Sequence, residues 1–390
     1  MKDITKFDTL IVYSAALAKS AQSAAADTTT PFVKGSSVDC YNLVYGYFLK
    51  TCSDNNLNAA FTTSADIVGP GLVRSYWLFK NQRWTKVLKK AYSKNIFDKF
   101  SPTSGKRKVS RKLLFSSNRV RPFNDPQLFN MCFDKQLTYD KLYEYSIPTV
   151  SISGATKKEI NKSYKALREK IKNHKNGSDF SNEIVLKDRF GAGGLNVYKF
   201  KNVELNLMTQ VVKKHKWVSF IIQPFVKFDQ GFKYKNMAAA PTDIRYIYLG
   251  NKLIQTYIRI AKKGDFKCNE HAGGLLKYIS KNELPNKLTS ISNKVAKVLN
   301  RKSSLYSLDY IISNNGNSYL LETNSGPGLD WNTSIKENEI EAKKLIRIIV
   351  KEIARRVNSS KYVSGRKVKT ILPTSFINEP TSLHEPIAII

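Results

Sequence analysis

Residues 307–331 read SLDYIISNNGNSYLLETNSGPGLDW, and this stretch decides the fold. Two apolar runs of strand length flank a turn at residues 314–316, which predicts a pair of adjacent antiparallel strands. Asp309 lies in the first strand, and Glu322 and Asn324 lie on one face at the end of the second, because side chains alternate along a strand. Two carboxylates and an amide oxygen favour Mg²⁺. The alternative interpretation of this stretch alone is a polar strand end without a ligand.

A glycine-rich loop follows another predicted strand upstream. Residues 183–200 read EIVLKDRFGAGGLNVYKF, in which Lys187 ends the strand and Gly191, Gly193 and Gly194 follow. Glycine lets backbone N–H groups approach phosphate oxygens closely, and a lysine adds a positive charge. The pattern indicates a phosphate-binding loop, although the GKS or GKT ending of a Walker motif is absent. A solvated lysine beside a turn is the alternative.

A third polar cluster lies in residues 242–274, where a predicted hairpin turns at Gly250-Asn251 and a loop follows. Side chains suited to carboxylate or phosphate binding stand on this hairpin and loop: Arg245, Arg259, Lys267 and Asn269. Asp243 precedes the first strand and is, by itself, equally consistent with a turn residue.

The order of these parts resembles the ATP-grasp superfamily of carboxylate–amine ligases, and most closely its RimK-type glutamate ligases. GDFKCNEHAGG at residues 264–274 is similar to that group's GDFRSNLHRGG, and LETNSGPGL at residues 321–329 is similar to its MEVNASPGL. Residues 123–150 resemble the family's entry segment, in which an Asp-Lys pair precedes a helix. The resemblance implies an α/β (α+β) ATP-grasp fold. Two α+β subdomains would clasp ATP, preceded by a small α/β pre-ATP-grasp domain.

The resemblance and the composition together predict a division into three parts. Residues 1–122 would form the N-terminal α/β domain, residues 123–357 the ATP-grasp domain, and residues 358–390 a C-terminal tail. Residues 101–112 carry Pro, Gly and Ser among basic side chains, which predicts an exposed loop. Residues 217–226 predict a buried strand.

The resemblance also implies how ATP would be held. Lys187 would contact the α- and β-phosphates, together with Lys135 of the Asp134-Lys135 pair. The other nucleotide contacts would come from Asp243, Lys267 and Asn269, and from the adenine hinge at Gln223, Pro224 and Phe225. Pro224 stands where the family usually has Glu, and Lys267 where it usually has Arg, which leaves the acceptor and substrate specificity open.

Catalytic roles are implied in the same way. Arg259, with Lys187, would stabilise the charge on an acyl-phosphate transition state. Asp309, Glu322 and Asn324 would ligate two Mg²⁺ ions, for which Mn²⁺ could substitute. We expect an ADP-forming ligase that joins an amino-acid-like amine to an acidic carboxylate on a protein, peptide or small molecule.

Charge supports an alternative. The chain has 64 Lys and Arg against 31 Asp and Glu, a formal net charge of +33. Residues 80–121 contain Asp98 as their only acid, and aromatic side chains are interleaved with the basic ones, as in nucleic-acid grooves. The protein would then be an ATP-grasp protein that binds or modifies DNA or RNA. A third hypothesis is a non-catalytic scaffold, against which the presence of Lys187, Asp309, Glu322 and Asn324 argues.

Composition excludes several classes of protein. Hydrophobic residues make up 42% of the 390 residues, which excludes wholesale disorder, and no apolar run is long enough to span a membrane. Four scattered cysteines without a CxxC pair predict reduced thiols in a cytoplasmic protein. The apolar run at residues 10–18 resembles a signal peptide, but Asp3 and Asp8 precede it, so we expect a buried first strand. The oligomeric state is not predicted.

Overall fold

A computed structural model of the chain describes residues 4–24, 28–103, 105–201, 204–301 and 303–365. Within these residues the strands form four sheets. The mixed α/β architecture is the expected one. No helix among the described residues is long and apolar enough to cross a membrane.

The N-terminal third contains two sheets. Its elements are β1 (Thr5–Lys6), β2 (Thr9–Tyr13), α1 (Cys40–Asp54), β3 (Ala59–Thr63), β4 (Ile67–Gly69), β5 (Leu72–Val73), β6 (Tyr76–Lys80), β7 (Arg83–Val87), β8 (Ala91–Tyr92), β9 (Asn95–Lys99), α2 (Gly105–Leu114) and β10 (Arg121–Pro122). The larger sheet has the order β10-β9-β2-β3-β6-β7, and the smaller has the order β1-β8-β5-β4. β2 is wholly buried between the parallel strands β3 and β9, which explains its continuous apolar sequence.

The expected loop at residues 101–112 is wrong, because α2 occupies most of it. One side of this helix is buried: Leu114 is inaccessible, and the Arg111 guanidinium lies 2.8 Å from the Asp98 carboxylate. These two groups are poorly aligned for a hydrogen bond, so their attraction is that of an ion pair. Arg111 also lies 3.7 Å above the Phe129 ring. Basic residues cover the rest of the helix and hide its periodicity in the sequence.

The aromatic side chains of residues 76–100 lie mainly in the core. Trp77 is inaccessible, and Tyr76, Phe97 and Phe100 are each at most 4% exposed. Bases cannot stack on these four rings. Phe79, Trp84 and Tyr92 are half-buried, so the nucleic-acid alternative stays a prediction.

The middle of the chain forms a four-stranded sheet of order β11-β14-β12-β13. Its elements are α3 (Pro126–Phe133), α4 (Lys135–Leu142), β11 (Val150–Ser151), α5 (Lys157–Lys172), β12 (Phe180–Asp188), β13 (Val197–Phe200), α6 (Leu205–Lys214) and β14 (Phe220–Val226). β14 was expected to begin at Trp217, which is wrong, because the strand begins at Phe220. A turn closed by the Val218 N–H donating to the His215 carbonyl precedes it, and Trp217 is 98% exposed.

The C-terminal part forms a five-stranded sheet of order β17-β16-β15-β18-β19. Its elements are β15 (Thr242–Leu249), β16 (Lys252–Ile260), β17 (Leu275–Tyr278), α7 (Asn286–Leu299), β18 (Leu305–Ile312), β19 (Ser318–Asn324) and α8 (Lys336–Gly365). On β15, Ile244, Tyr246 and Tyr248 pack into one apolar core with side chains of α7. At the alternate positions of the same strand, Asp243 and Arg245 face the opposite side, followed by the apolar Ile247 and Leu249.

The final helix, α8, packs against the N-terminal third of the chain. Ile346 and Ile349 of α8 share one core with Val44 and Phe48 of α1. The helix continues past the expected end at residue 357, so residues 358–365 are helical and not tail-like. The rest of the expected tail, residues 366–390, lies outside the described residues. The expected domain boundaries stay a prediction.

Candidate active site

A cleft lies between the four-stranded sheet and the five-stranded sheet. Most of the residues predicted for nucleotide binding and catalysis line it: Lys135, Lys187, Gln223, Pro224, Phe225, Asp243, Arg259, Lys267, Asn269 and Glu322. Asp309 is fully buried beneath this lining. Asn324 lines a second chamber, which opens beside Glu322 and shares it with the cleft.

Two lysines form the positive side of the cleft. Lys187, at the end of β12, is 6% exposed, and its Nζ lies 3.5 Å from the Leu321 carbonyl oxygen. Lys135, at the start of α4, donates to the Gly191 carbonyl of the glycine-rich loop. Burial lowers the pKa of Lys187 to about 8; the Glu322 carboxylate raises this pKa and the Lys135 charge lowers it. Burial also lowers the pKa of Lys135, and the Glu322 carboxylate raises it.

The glycine-rich loop approaches the opposite wall. Gly193 and Gly194 have φ values of 70° and 76°, which non-glycine residues rarely adopt. A Cβ atom on Gly194 would lie 3.0 Å from the Asn269 side-chain oxygen. Glycine at this position therefore allows the loop to lie close to the Asn269 side chain.

Lys135 is positioned by Asp134, which the sequence analysis noted only as part of a motif. The Asp134 carboxylate accepts hydrogen bonds from the backbone of Gln136 and Leu137 and so caps α4. Both of its oxygens also accept from the Arg189 guanidinium, at 2.7 and 2.6 Å. The helix that presents one cleft lysine is thus bound to the strand end that presents the other. No local signal identified Arg189.

A buried ion-pair network lies under the cleft floor. β15 pairs with both β16 and β18, and this register places Asp243 opposite Arg259 and Arg245 opposite Asp309. Arg259 donates to both Asp243 oxygens at 2.8 Å and to Asp309 at 2.9 Å. Arg245 donates to both oxygens of Asp309. Two arginines and two aspartates therefore neutralise one another.

The network fixes the charge state of Asp309. Burial alone would raise the pKa of its carboxyl, but the charges of Arg245 and Arg259 outweigh burial and hold the pKa at about 2. For Asp243 the outcome is opposite: burial and the Asp309 charge raise its pKa above the ordinary value, although Arg259 opposes them. Asp243 was expected to contact the nucleotide, on its ribose side. Its oxygens already accept two hydrogen bonds from Arg259, so a ribose hydroxyl would have to share them.

The three expected metal ligands converge where the end of β19 lies beside the middle of β18. Glu322 stands opposite Asp309 in the strand pairing. The Asn324 amide donates to Glu322 at 3.2 Å and lies 3.5 Å from Asp309. Their oxygens are the type that Mg²⁺ prefers, so the donor set fits. Because both Asp309 oxygens already accept from arginines, Glu322 and Asn324 are the more open of the three.

The expected adenine hinge forms the apolar end of the cleft. Gln223 is 6% exposed, and its amide donates to the Thr149 hydroxyl at 2.7 Å. The Phe225 carbonyl accepts from the Ser181 hydroxyl at 3.1 Å. Pro224 has no backbone N–H, so only its carbonyl is available for hydrogen bonding. Apolar side chains surround this end of the cleft: Ile147, Val185, Val226, Ile311 and Leu321.

Lys267 and Asn269 lie on the loop after β16, which lines the cleft beside the hinge: the Phe266 ring of this loop lies 5.7 Å from the Phe225 ring. Lys267 and Asn269 are both half-buried. The loop doubles back tightly, because a Cβ atom on Gly274 would lie 2.3 Å from the Cys268 carbonyl oxygen. The expected contacts of Lys267 and Asn269 with the nucleotide stay a prediction.

The second chamber, here called the tyrosine chamber, contains residues that the sequence analysis missed. Its lining includes Tyr13, Tyr41, Tyr45, Lys99 and Asp330 as well as Glu322 and Asn324. The first four belong to the N-terminal third. No local pattern connects them, and only the packing of β2, α1 and β9 against the loop after β19 brings them together.

Comparisons with known proteins agree with this architecture. The family model described as a RimK-like ATP-grasp domain matches residues 146–349, more than half of the chain. A probable alpha-L-glutamate ligase from Coxiella burnetii is 34% identical over 123 residues, which are 32% of this chain and 36% of that relative's length. A probable alpha-L-glutamate ligase from Histophilus somni is 25% identical over 255 residues, covering 65% of this chain and 75% of the relative.

Solved structures share the fold. D-cycloserine synthetase DcsG superposes with a TM-score of 0.56 at 12% identity, over 90% of this chain and 99% of that one. D-alanyl-alanine synthetase A from Vibrio cholerae superposes with a TM-score of 0.55 at 13% identity, over 91% of this chain and all of that one. The expected fold class is thus confirmed.

Proposed function

We propose that this chain, which belongs to the RimK-like ATP-grasp family, is an ATP-dependent ligase that joins a carboxylate to an amine. One observation carries the proposal. Lys135 and Lys187 line one wall of a cleft, and Glu322 lines the other wall within reach of their charges. A triphosphate between these walls would meet positive charge from the protein on one side and carboxylate and amide oxygens on the other.

The proposed reaction has two steps. A carboxylate oxygen of the acceptor attacks the γ-phosphorus of ATP, the bond from that phosphorus to its bridging oxygen breaks, and ADP leaves with the electron pair. The product is an acyl phosphate. The amine nitrogen then attacks the acyl carbon, phosphate leaves with the former carboxylate oxygen, and one proton is released from nitrogen.

The protein's part in both steps is positioning and electrostatics. Lys187 and Lys135 would bind the phosphate oxygens, and the glycine-rich loop would bring backbone groups against them. Of the two arginines in the ion-pair network, Arg259 lines the cleft and Arg245 does not. Arg259 would oppose the charge that develops on the transferred group.

Divalent metal ions belong to this proposal. Glu322 and Asn324, with Asp309 behind them, would hold two Mg²⁺ or Mn²⁺ ions. When bound, the ions would supply positive charge to the phosphate oxygens.

The relatives suggest the substrate class. Those named above are called probable alpha-L-glutamate ligases, so we propose an amino acid such as glutamate as one substrate. The second would be an acidic protein, peptide or small molecule.

Phosphate release tests the proposal. Purified chain with MgATP should release ADP and phosphate when an amino-acid panel is supplied together with acidic peptides. Omitting either the amine or the acceptor should reduce the rate. Failure of every combination to stimulate phosphate release would contradict the ligase assignment.

A further inference from the structure

The tyrosine chamber adjoins the place where an acyl phosphate would form. Arg259, Asn269 and Glu322 line both the chamber and the nucleotide cleft. A small molecule in the chamber would therefore reach the reacting atoms from the side opposite the adenine hinge.

The charged side chains that line the chamber differ in whether they have ion-pair or hydrogen-bond partners. Arg245 and Arg259 are neutralised by Asp243 and Asp309. Lys99 donates to the Gly326 and Pro327 carbonyls at 3.1 and 2.7 Å, and burial lowers its pKa to about 8.

Asp330 differs from these groups. In the described part of the chain its carboxylate accepts no hydrogen bond and has no cationic group within 4 Å. It is half-buried, and it lies against Gly328, where an added Cβ atom would be 3.0 Å from an Asp330 oxygen. The charge of Asp330 raises the pKa of Lys99, which lines the same chamber, but the two groups are not within ion-pair distance. The Asp330 carboxylate therefore retains room for a cationic ligand.

Three aromatic rings line the same chamber as this carboxylate. The Tyr13 ring centroid lies 5.2 Å from that of Tyr45 and 6.0 Å from that of Tyr41. Burial raises the pKa of all three phenols, and the Asp330 charge raises each of them further. The tyrosines are therefore neutral, and they offer hydroxyl dipoles and the negative faces of their rings.

We propose that Asp330, together with Tyr13, Tyr41 and Tyr45, binds the ammonium group of the amine substrate. A carboxylate beside aromatic rings suits an aliphatic ammonium ion, because both attract positive charge and the rings exclude water. The inference rests on the proposed function, since that function places the acyl phosphate next to the chamber. It assigns a role in amine recognition to the N-terminal third.

A binding experiment tests the site without turnover. Saturation-transfer NMR of the full chain with MgADP would use butylammonium as the probe and butanol as the uncharged probe of similar size. We expect butylammonium to bind and butanol not to bind. Asp330→Asn should weaken butylammonium binding by about tenfold or more. The matched control is Asp54→Asn, which alters an exposed aspartate on α1 that pairs with Lys50.

A kinetic experiment connects the site with the reaction. Asp330→Asn should raise the KM for the amine and leave the KM for ATP unchanged, and Asp330→Glu should restore part of the amine affinity. Tyr41→Leu should also raise the KM for the amine. This variant tests the site if Asp330→Asn fails to fold.

Two outcomes would overturn the inference. One is equal butylammonium binding by the wild type and Asp330→Asn. The other is equal binding of butanol and butylammonium by the wild type. Failure of the wild type to release phosphate with any amine would instead contradict the proposed function, and the binding data would stand separately.

Discussion

Lys187 is the residue whose chemistry depends most on its surroundings. Burial brings its pKa to about 8, so its charge is lost as the pH rises above about 8. Below that pH the ammonium group can bind phosphate, and above it the neutral amine cannot. We expect ADP affinity to fall by about tenfold or more between about pH 7 and about pH 9.5. Isothermal titration calorimetry across this range measures the effect.

Lys187→Arg is the control for this prediction. A guanidinium stays charged throughout the range, so the variant should show a flatter pH dependence whatever its absolute affinity. A wild-type affinity that stays constant to the top of the range would show that Lys187 does not contact the nucleotide.

Glu322 supplies the carboxylate that lines the cleft opposite Lys187 and Lys135. Replacing its carboxylate by an amide in Glu322→Gln preserves shape and removes the charge that faces Lys187 and Lys135. We expect phosphate release to fall by at least about 100-fold, because an interaction with the transferring group is lost. Circular dichroism should show an unchanged fold.

The matched control for Glu322 lies on α8. Glu339 is surface-exposed in part and pairs with Lys343 one turn away. Glu339→Gln should retain full activity. Undiminished turnover of Glu322→Gln would refute the metal assignment.

At the scale of a single element, α2 depends on one buried ion pair. Arg111 contacts Asp98 and the Phe129 ring, and both carboxylate and guanidinium are largely shielded from water. Arg111→Ala would leave Asp98 buried without its cation, so we expect a loss of about 3 kcal/mol in the free energy of unfolding. Lys112→Ala, on the exposed side of the same helix, should change it by less than about 0.5 kcal/mol. Urea denaturation compares the two, and equal losses would show that the ion pair is not what holds α2.

The elements differ in how well sequence patterns predicted them. The β18–β19 hairpin was predictable because its turn, its alternation and its polar ends all lie within one short stretch. α2 was not, because Pro and Ser precede it, Gly begins it and half of its residues are basic, so its few buried positions gave no clear period. Trp217 was expected to begin a strand, because the turn that the Val218 N–H closes on the His215 carbonyl was not visible in the sequence.

The same distinction applies to the site. Lys187, Glu322 and Asn324 lie on motifs that are local in sequence, so their residue types and spacing indicated them. Arg245 was not identified as the partner of Asp309, because the two residues lie 64 positions apart in the sequence and meet only through the pairing of their strands. Arg189 and the tyrosine chamber likewise depend on long-range packing, which no local pattern encodes.

At the scale of the whole molecule, the net charge of +33 requires a separate test. The aromatic residues of the basic region are mostly buried, so bound bases would have little to stack on. We expect single-stranded DNA to bind only through phosphate contacts, and to dissociate as salt rises to about 0.2 M. Fluorescence anisotropy measured as a function of salt concentration tests this. DNA binding that persists in high salt would favour the nucleic-acid alternative.

In the proposed reaction, phosphoryl transfer from ATP activates a carboxylate, which is then joined to an amine. Isotope transfer tests this order of steps, with an acidic peptide whose carboxylates carry ¹⁸O incubated with the chain, MgATP and an amino acid. We expect one ¹⁸O atom in each released phosphate, because the attacked acyl carbon loses the former carboxylate oxygen. Amide formation with unlabelled phosphate, or phosphate release without any amide product, would contradict it.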